Sequence, residues 1–209
     1  MKKTIWQPLV LGVALGLLAG TATATGLSFI VPGTDTDIAI GIFATLFLLA
    51  AALGGPLAGA IAPAFFVIIA AFFGPPDMKA ILNIPQVFWS NLLALGAIGA
   101  LVGFAYRWIF ERLKMPARLL PWAGIVIAYY VITLPSSIIP QSYLLGDIDL
   151  LPAILFSYKT YFPQAIFDIF ITSLVFIALP ARYRRPLWIE WHPAAFPAEG
   201  QAAAKEISK

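Results

Sequence analysis

Residues 51–77 read "AALGGPLAGAIAPAFFVIIAAFFGPPD", and the six residues "GGPLAG" from Gly54 to Gly59 inside that run decide how the chain is counted. The apolar runs on either side, 38–53 and 57–73, are short and nothing else separates them, so they read as a tight helical hairpin. Working outward, four more runs are apolar enough to leave water: 8–31, 86–106, 120–139 and 161–180. An apolar helix needs about 20 residues to cross the roughly 30 Å hydrocarbon core, where exposed backbone groups find no solvent. The predicted fold is an all-α membrane protein, a bundle of six transmembrane helices over 1–185, followed by a flexible cytoplasmic tail over 186–209.

The composition agrees with that class. The chain has 209 residues, 61% hydrophobic and 11% charged, with mean hydropathy +0.90; soluble domains carry roughly 25% charged residues. A pI near 9.2 raises nucleic acid as a partner, but the basic residues sit in short blocks between apolar runs, as membrane topology requires. With no cysteine, disulfides, thiolate metal sites and a Cys nucleophile are excluded.

The amino-terminal stretch "MKKTIWQPLVLGVALGLLAGTATATG" has the Lys-Lys start and the Ala22-x-Ala24 pattern of a cleaved secretory leader. Its apolar character continues through "LSFIV" to Val31, which favours a retained first span; cleavage would leave five helices. With the amino terminus inside, nine basic residues lie near inner membrane ends: Lys2, Lys3, Arg107, Arg112, Lys114, Arg118, Arg182, Arg184 and Arg185. The outer loops hold two, Lys79 and Lys159, so the positive-inside bias places both termini in the cytoplasm; the expected location is the plasma membrane.

A few polar residues interrupt the apolar runs. In "YFPQAIFDIF" (161–170), Asp168 lies five residues beyond Pro163, roughly 8 Å below the outer end of a helix that starts there. Helical spacing puts Tyr161, Gln164, Asp168 and Thr172 on one stripe. An ionised carboxylate facing lipid costs about 2.5–3.5 kcal/mol or more, so the stripe faces the bundle or a wet cavity. A structural hydrogen-bond network and a ligand contact are both open for it. The fifth run adds Tyr129, Tyr130, Thr133, Ser136 and Ser137, where Pro135 leaves the Val131 carbonyl without its helical donor. The fourth adds Trp89, Ser90 and Asn91. Trp89 suits an interfacial anchor as well as a ligand contact, whereas a buried Asn91 amide needs partners. Amide, hydroxyl, carboxylate and aromatic groups at one level describe a small-ligand pocket. The expected substrate-binding set is Trp89, Asn91, Tyr129, Tyr130, Gln164 and Asp168, for a ligand of cationic or ring character.

Gly12, Gly16 and Gly20 repeat every four residues on the first helix, and Gly96, Gly99, Ala100 and Gly103 smooth the fourth. Such faces pack closely against another helix, in this chain or in a partner. No catalytic constellation stands out: the single histidine, His192, lies in the tail, no His cluster suits a metal, and no Walker-type loop is present. The protein is read as a non-enzyme with no metal and no cofactor, and any ATP chemistry belongs to partners.

With "AALGGPLAGAIAPAFFVIIAAFFGPPD" followed by "NLLALGAIGALVGFAYRWIFERL", the chain resembles the substrate-binding S component of energy-coupling factor (ECF) transporters and the related membrane sensor region of LytS-type histidine kinases. The likeness covers roughly 8–185 and rests on Gly55, Pro56 and Gly59 in an early hairpin, then a glycine-rich helix ending in basic residues. It implies six helices, an outward-facing pocket, and partnership with a membrane scaffold subunit and two cytoplasmic ATPases. On that reading a vitamin-like small molecule enters from outside and meets Asn91, Tyr130, Gln164 and Asp168. S components often dock through an Ala-x-x-x-Ala pair on the first helix; here Gly12, Gly16 and Gly20 stand at that spacing and form the expected partner interface. The alternative is a LytS-like sensor or a structural membrane subunit without transport. The sensor region's Asn-x-Arg style segment is replaced by "GTDTDIAIG", and its downstream signalling domains do not follow.

Overall fold

The computed structural model describes residues 5–31, 38–146, 149–180 and 187. The tail expected to be flexible lies outside them apart from Leu187, as do Lys2, Lys3, Arg182, Arg184, Arg185 and His192. In chain order the elements are α1 (Trp6–Ala24), β1 (Ser28–Val31), β2 (Ile38–Gly41), α2 (Phe43–Phe73), α3 (Pro76–Leu82), α4 (Pro85–Arg112), α5 (Leu119–Leu145) and α6 (Leu150–Ala178). Five of these helices, α1, α2, α4, α5 and α6, are long and apolar enough to cross a membrane. The chain is a helical, multi-pass membrane protein.

The stretch around "GGPLAG" reverses the chain. Gly55 has φ 73° and ψ −166°, a backbone region open essentially to glycine alone. Pro56 then begins a new arm at a position where its missing N–H is not needed. A straight helix would separate Phe43 from Phe66 by about 34 Å. Instead their rings stack with centroids 5.5 Å apart, and Phe47 meets Phe66 edge-on at 5.1 Å. Residues 43–54 and 56–73 therefore lie side by side, antiparallel. The first arm spans about 18 Å, well short of the roughly 30 Å apolar layer.

The end of α1 departs from the reading of a span that continues to Val31. Thr25 ends the helix, Gly26 turns at φ 69°, its N–H donates to the Thr23 carbonyl at 3.1 Å, and the Leu27 N–H donates to that of Ala22 at 2.8 Å. This is the Schellman arrangement that a glycine just past a helix permits. Ser28–Val31 then pairs antiparallel with Ile38–Gly41, in a register that sets Ser28 opposite Gly41 and Val31 opposite Ile38. β-branched and aromatic residues suit that extended pairing, and the ladder satisfies backbone groups that a broken helix end would leave free.

Glycines set the helix contacts. α1 runs parallel to the second arm of α2, because a Cβ on Gly12 would lie 2.9 Å from Ala58 Cα, one on Gly16 2.9 Å from Phe65 Cβ, and one on Gly20 2.6 Å from Ile69 Cβ. The smooth face expected to dock a partner is thus buried inside the chain: all three glycines are covered by α2. Across the other side of that arm, α4 touches backbone to backbone. A Cβ on Gly99 would overlap the Gly59 carbonyl oxygen, one on Gly59 would overlap that of Gly99, and Gly103 sits over Gly55 and Pro56. Pro63 offers no N–H to the Gly59 carbonyl, so that oxygen is left to face the Cα of Gly99, a weak C–H···O contact.

The junction between α4 and α5 is basic. Arg118 donates to the carbonyls of Leu113 and Phe110, the latter at 3.1 Å, and lies over the Phe110 ring at 4.0 Å. It thereby ties down the last carbonyls of α4, where a cation is favoured. Just above, Trp122, Tyr106 and Phe176 form a fully buried aromatic cluster with centroids 5.1–5.3 Å apart.

Candidate functional site: a polar core beneath an aromatic cavity

Asp168 lies deeper than the sequence spacing implies. The last helix begins at Leu150 and carries Pro163 in its interior, so Asp168 is about 27 Å along it. Its side chain has no solvent exposure. Oδ1 accepts hydrogen bonds from Thr45 Oγ1, on the first arm of α2, and from Gln164 Nε2 at 3.0 Å. Oδ2 accepts from the Tyr130 hydroxyl of α5 at 2.5 Å. One carboxylate thus joins three helical segments, and each of its oxygens has a donor. Buried acids persist where their lone pairs are satisfied in this way.

The network extends above and below. Gln164 behaves as a further strand partner: its Oε1 accepts the Gly41 N–H at 2.7 Å and its Nε2 donates to the Gly41 carbonyl at 2.7 Å, holding the last residue of β2 against α6. One turn below Asp168, Thr172 Oγ1 donates to the Asp168 carbonyl at 2.5 Å and accepts the Trp122 Nε1–H at 2.8 Å. The predicted stripe Gln164, Asp168, Thr172 is therefore buried and turned inward, while Tyr161, its fourth member, is 38% exposed.

Beside this network, away from the basic junction, is a cavity of about 550 Å³. Phe43, Phe47 and Phe66 of the two α2 arms form one side and Asn91 and Leu95 of α4 another. Tyr129, Tyr130, Thr133 and Ser137 come from α5, and Ser157 and Tyr161 from α6. The short helix α3 contributes Asp77, Met78, Ile81 and Leu82. Its size and its mostly apolar wall with a few polar groups match small-molecule sites. The Asn91 Nδ2 donates to the Val87 carbonyl at 2.9 Å, and Tyr129 and Tyr130 are buried with rings edge to face at 5.3 Å. Thr133 Oγ1 is buried without a hydrogen-bond partner.

Of the six residues expected to bind ligand, the structure brings Asn91, Tyr129 and Tyr130 to the cavity wall. Gln164 and Asp168 lie behind Tyr130 in the buried network and are not on that wall. Trp89 is 58% exposed on the outside of α4, because two residues of helix rotate it about 200° from Asn91. Two polar residues of the site were not singled out from the sequence: Thr45, a lone hydroxyl in an otherwise apolar arm, and Asp77. Nor were the three phenylalanines, which look like ordinary apolar filler until the hairpin gathers them. Among the described residues no three His, Cys, Asp or Glu side chains come together in a set able to hold a metal ion. Compared with family models, curated proteins and solved structures, the chain matches none.

Proposed function

We propose that this protein is the ligand-capturing membrane subunit of an ECF-type uptake system. In this reading it is a bundle of the plasma membrane whose six helical segments include the two antiparallel arms of α2, with both termini in the cytoplasm. The ligand enters from outside into the cavity walled by Asn91, Tyr129 and Tyr130, and the bundle delivers it inward when a membrane scaffold and two ATPases act on it. The observation that carries this reading is the cavity itself, set at the end of the bundle opposite the basic α4–α5 junction. The positive-inside rule makes that end the outer one. Because α2 covers the glycine face of α1, a scaffold would engage another surface of the bundle.

The test is purification in mild detergent followed by mass spectrometry of retained small molecules, with Ser137→Phe as a cavity-filling variant. A compound retained by the wild type and lost from an equally stable variant supports capture in the cavity. A well-folded protein that retains nothing, and whose loss leaves uptake unchanged, favours the second reading, a structural or LytS-like sensor subunit. The engagement of both Asp168 oxygens by protein donors is the observation in favour of that second reading.

A further inference from the structure

We propose that the cavity takes an organic cation, an ammonium group carried on an aromatic or aliphatic body. This rests on the reading of the cavity as a binding site and adds the chemical class of its occupant.

Charge is the first argument. Among the described residues the wall contains one ionisable carboxyl group, Asp77, and no Lys, Arg or His. Lys79, on the same short helix, is not on the wall. An anion entering here would be desolvated with no counter-charge, which is strongly unfavourable, whereas a cation finds Asp77 at the α3 side. Aromatic content is the second argument. Phe43, Phe47, Phe66, Tyr129, Tyr130 and Tyr161 all contribute to the wall, and aromatic rings attract ammonium groups, the more so away from water.

The third argument is the direction of the polar groups. The Tyr130 proton is committed to Asp168 Oδ2, so the phenol oxygen has only acceptor capacity left. An Nδ2 proton of Asn91 is used on its own helix at Val87, and its Oδ1 is an acceptor. Thr133 Oγ1 has no partner. The Tyr130 phenol oxygen, the Asn91 Oδ1 and the Thr133 hydroxyl therefore offer acceptors to a ligand that presents N–H groups. Asp168, which looks from the sequence like the counter-ion for a cation, acts one step behind the wall: it holds the Tyr130 hydroxyl in that orientation, and Asp77 takes the counter-ion role.

The experiment uses the purified full chain at pH 7 and three probes with the same ring: 2-phenylethylammonium, 2-phenylethanol and 3-phenylpropionate. Binding is read by equilibrium dialysis and by thermal protection. The expected result is that the ammonium compound binds at least about tenfold tighter than the carboxylate. Asp77→Asn, at an exposed position whose change leaves the bundle intact, narrows that preference to within about threefold and leaves the alcohol unaffected. Equal or tighter binding of the carboxylate, or a preference untouched by Asp77→Asn, overturns the proposal. So does failure of all three probes to bind. In that case the mass spectrum of the purified protein separates the two ideas: a retained neutral or anionic compound leaves the cavity as a binding site and removes only the cation.

Discussion

Tyr158 of α6 donates its hydroxyl to the Val131 carbonyl of α5 at 2.8 Å, the acceptor that Pro135 leaves without an N–H four residues later. A proline in one helix is thus answered by a phenol from its neighbour. Tyr158→Phe should destabilise the bundle by about 1 kcal/mol, since a carbonyl loses its donor in a place where water is scarce. In a Pro135→Ala background, where the helix supplies its own N–H, the same change should cost little. A double-mutant cycle in detergent unfolding measures this, and additive effects would mean that the two residues are unconnected.

The Asp168 network makes a sharper forecast. In Asp168→Asn the amide oxygen keeps the site that receives the Thr45 and Gln164 donors, which turns the new N–H₂ toward Tyr130. The phenol can then accept instead of donate, so every hydrogen bond survives with one reversed. Asp168→Leu leaves three donors unmatched, at about 1–3 kcal/mol each. The asparagine variant should therefore unfold close to the wild type, and the leucine variant should be severely unstable or fail to accumulate. Equal behaviour of the two would contradict this assignment of donors.

Glycine positions should divide cleanly by surroundings. Gly99→Ala drives a methyl into the Gly59 carbonyl, an overpacking worth about 1–3 kcal/mol. Gly124→Ala, with nothing within 4 Å of the new atom, should be neutral or stabilise by about 0.4–1 kcal/mol through helix propensity and the unfolded chain. Thermal melting of the two purified variants distinguishes them, and a Gly99→Ala protein as stable as its parent would mean that α4 does not cross α2 at Gly59.

The reversal at Gly55 can be tested because the chain has no cysteine of its own. Phe47→Cys with Phe66→Cys places two thiols where the native rings meet at 5.1 Å. A short thiol cross-linker should join them within one chain, giving a faster-running monomer on a denaturing gel. In a continuous helix these positions would be about 28 Å apart, and the reagent would bridge nothing within the chain.

The membrane class, most of the long helices and the inward turn of the Gln164–Asp168–Thr172 stripe were legible from residues alone. Each follows from composition or from a period of 3.6, which are properties of neighbours in the chain. The end of α1 was misread: Gly26 marks it, but the apolar residues after it looked like more helix, and hydropathy does not distinguish a helix from a strand in so short a run. The depth of Asp168 was misjudged because Pro163 reads as a helix start, whereas here it lies inside α6 with neighbouring helices packed around it.

What the sequence determined by itself is that this chain must leave water as helices and cannot leave its few polar side chains facing lipid. Which polar groups meet, and which remain open to a visitor, depended on tertiary structure. Thr45 and Asp168 are 123 residues apart, and no local pattern encodes their pairing. Only when the α2 arms fold back and α5 and α6 close around them does Asp168 become a buried structural centre. The same closure leaves Asn91, Tyr129, Tyr130 and Thr133 around unfilled space, because a buried donor or acceptor is settled by whichever partner the packing brings within reach.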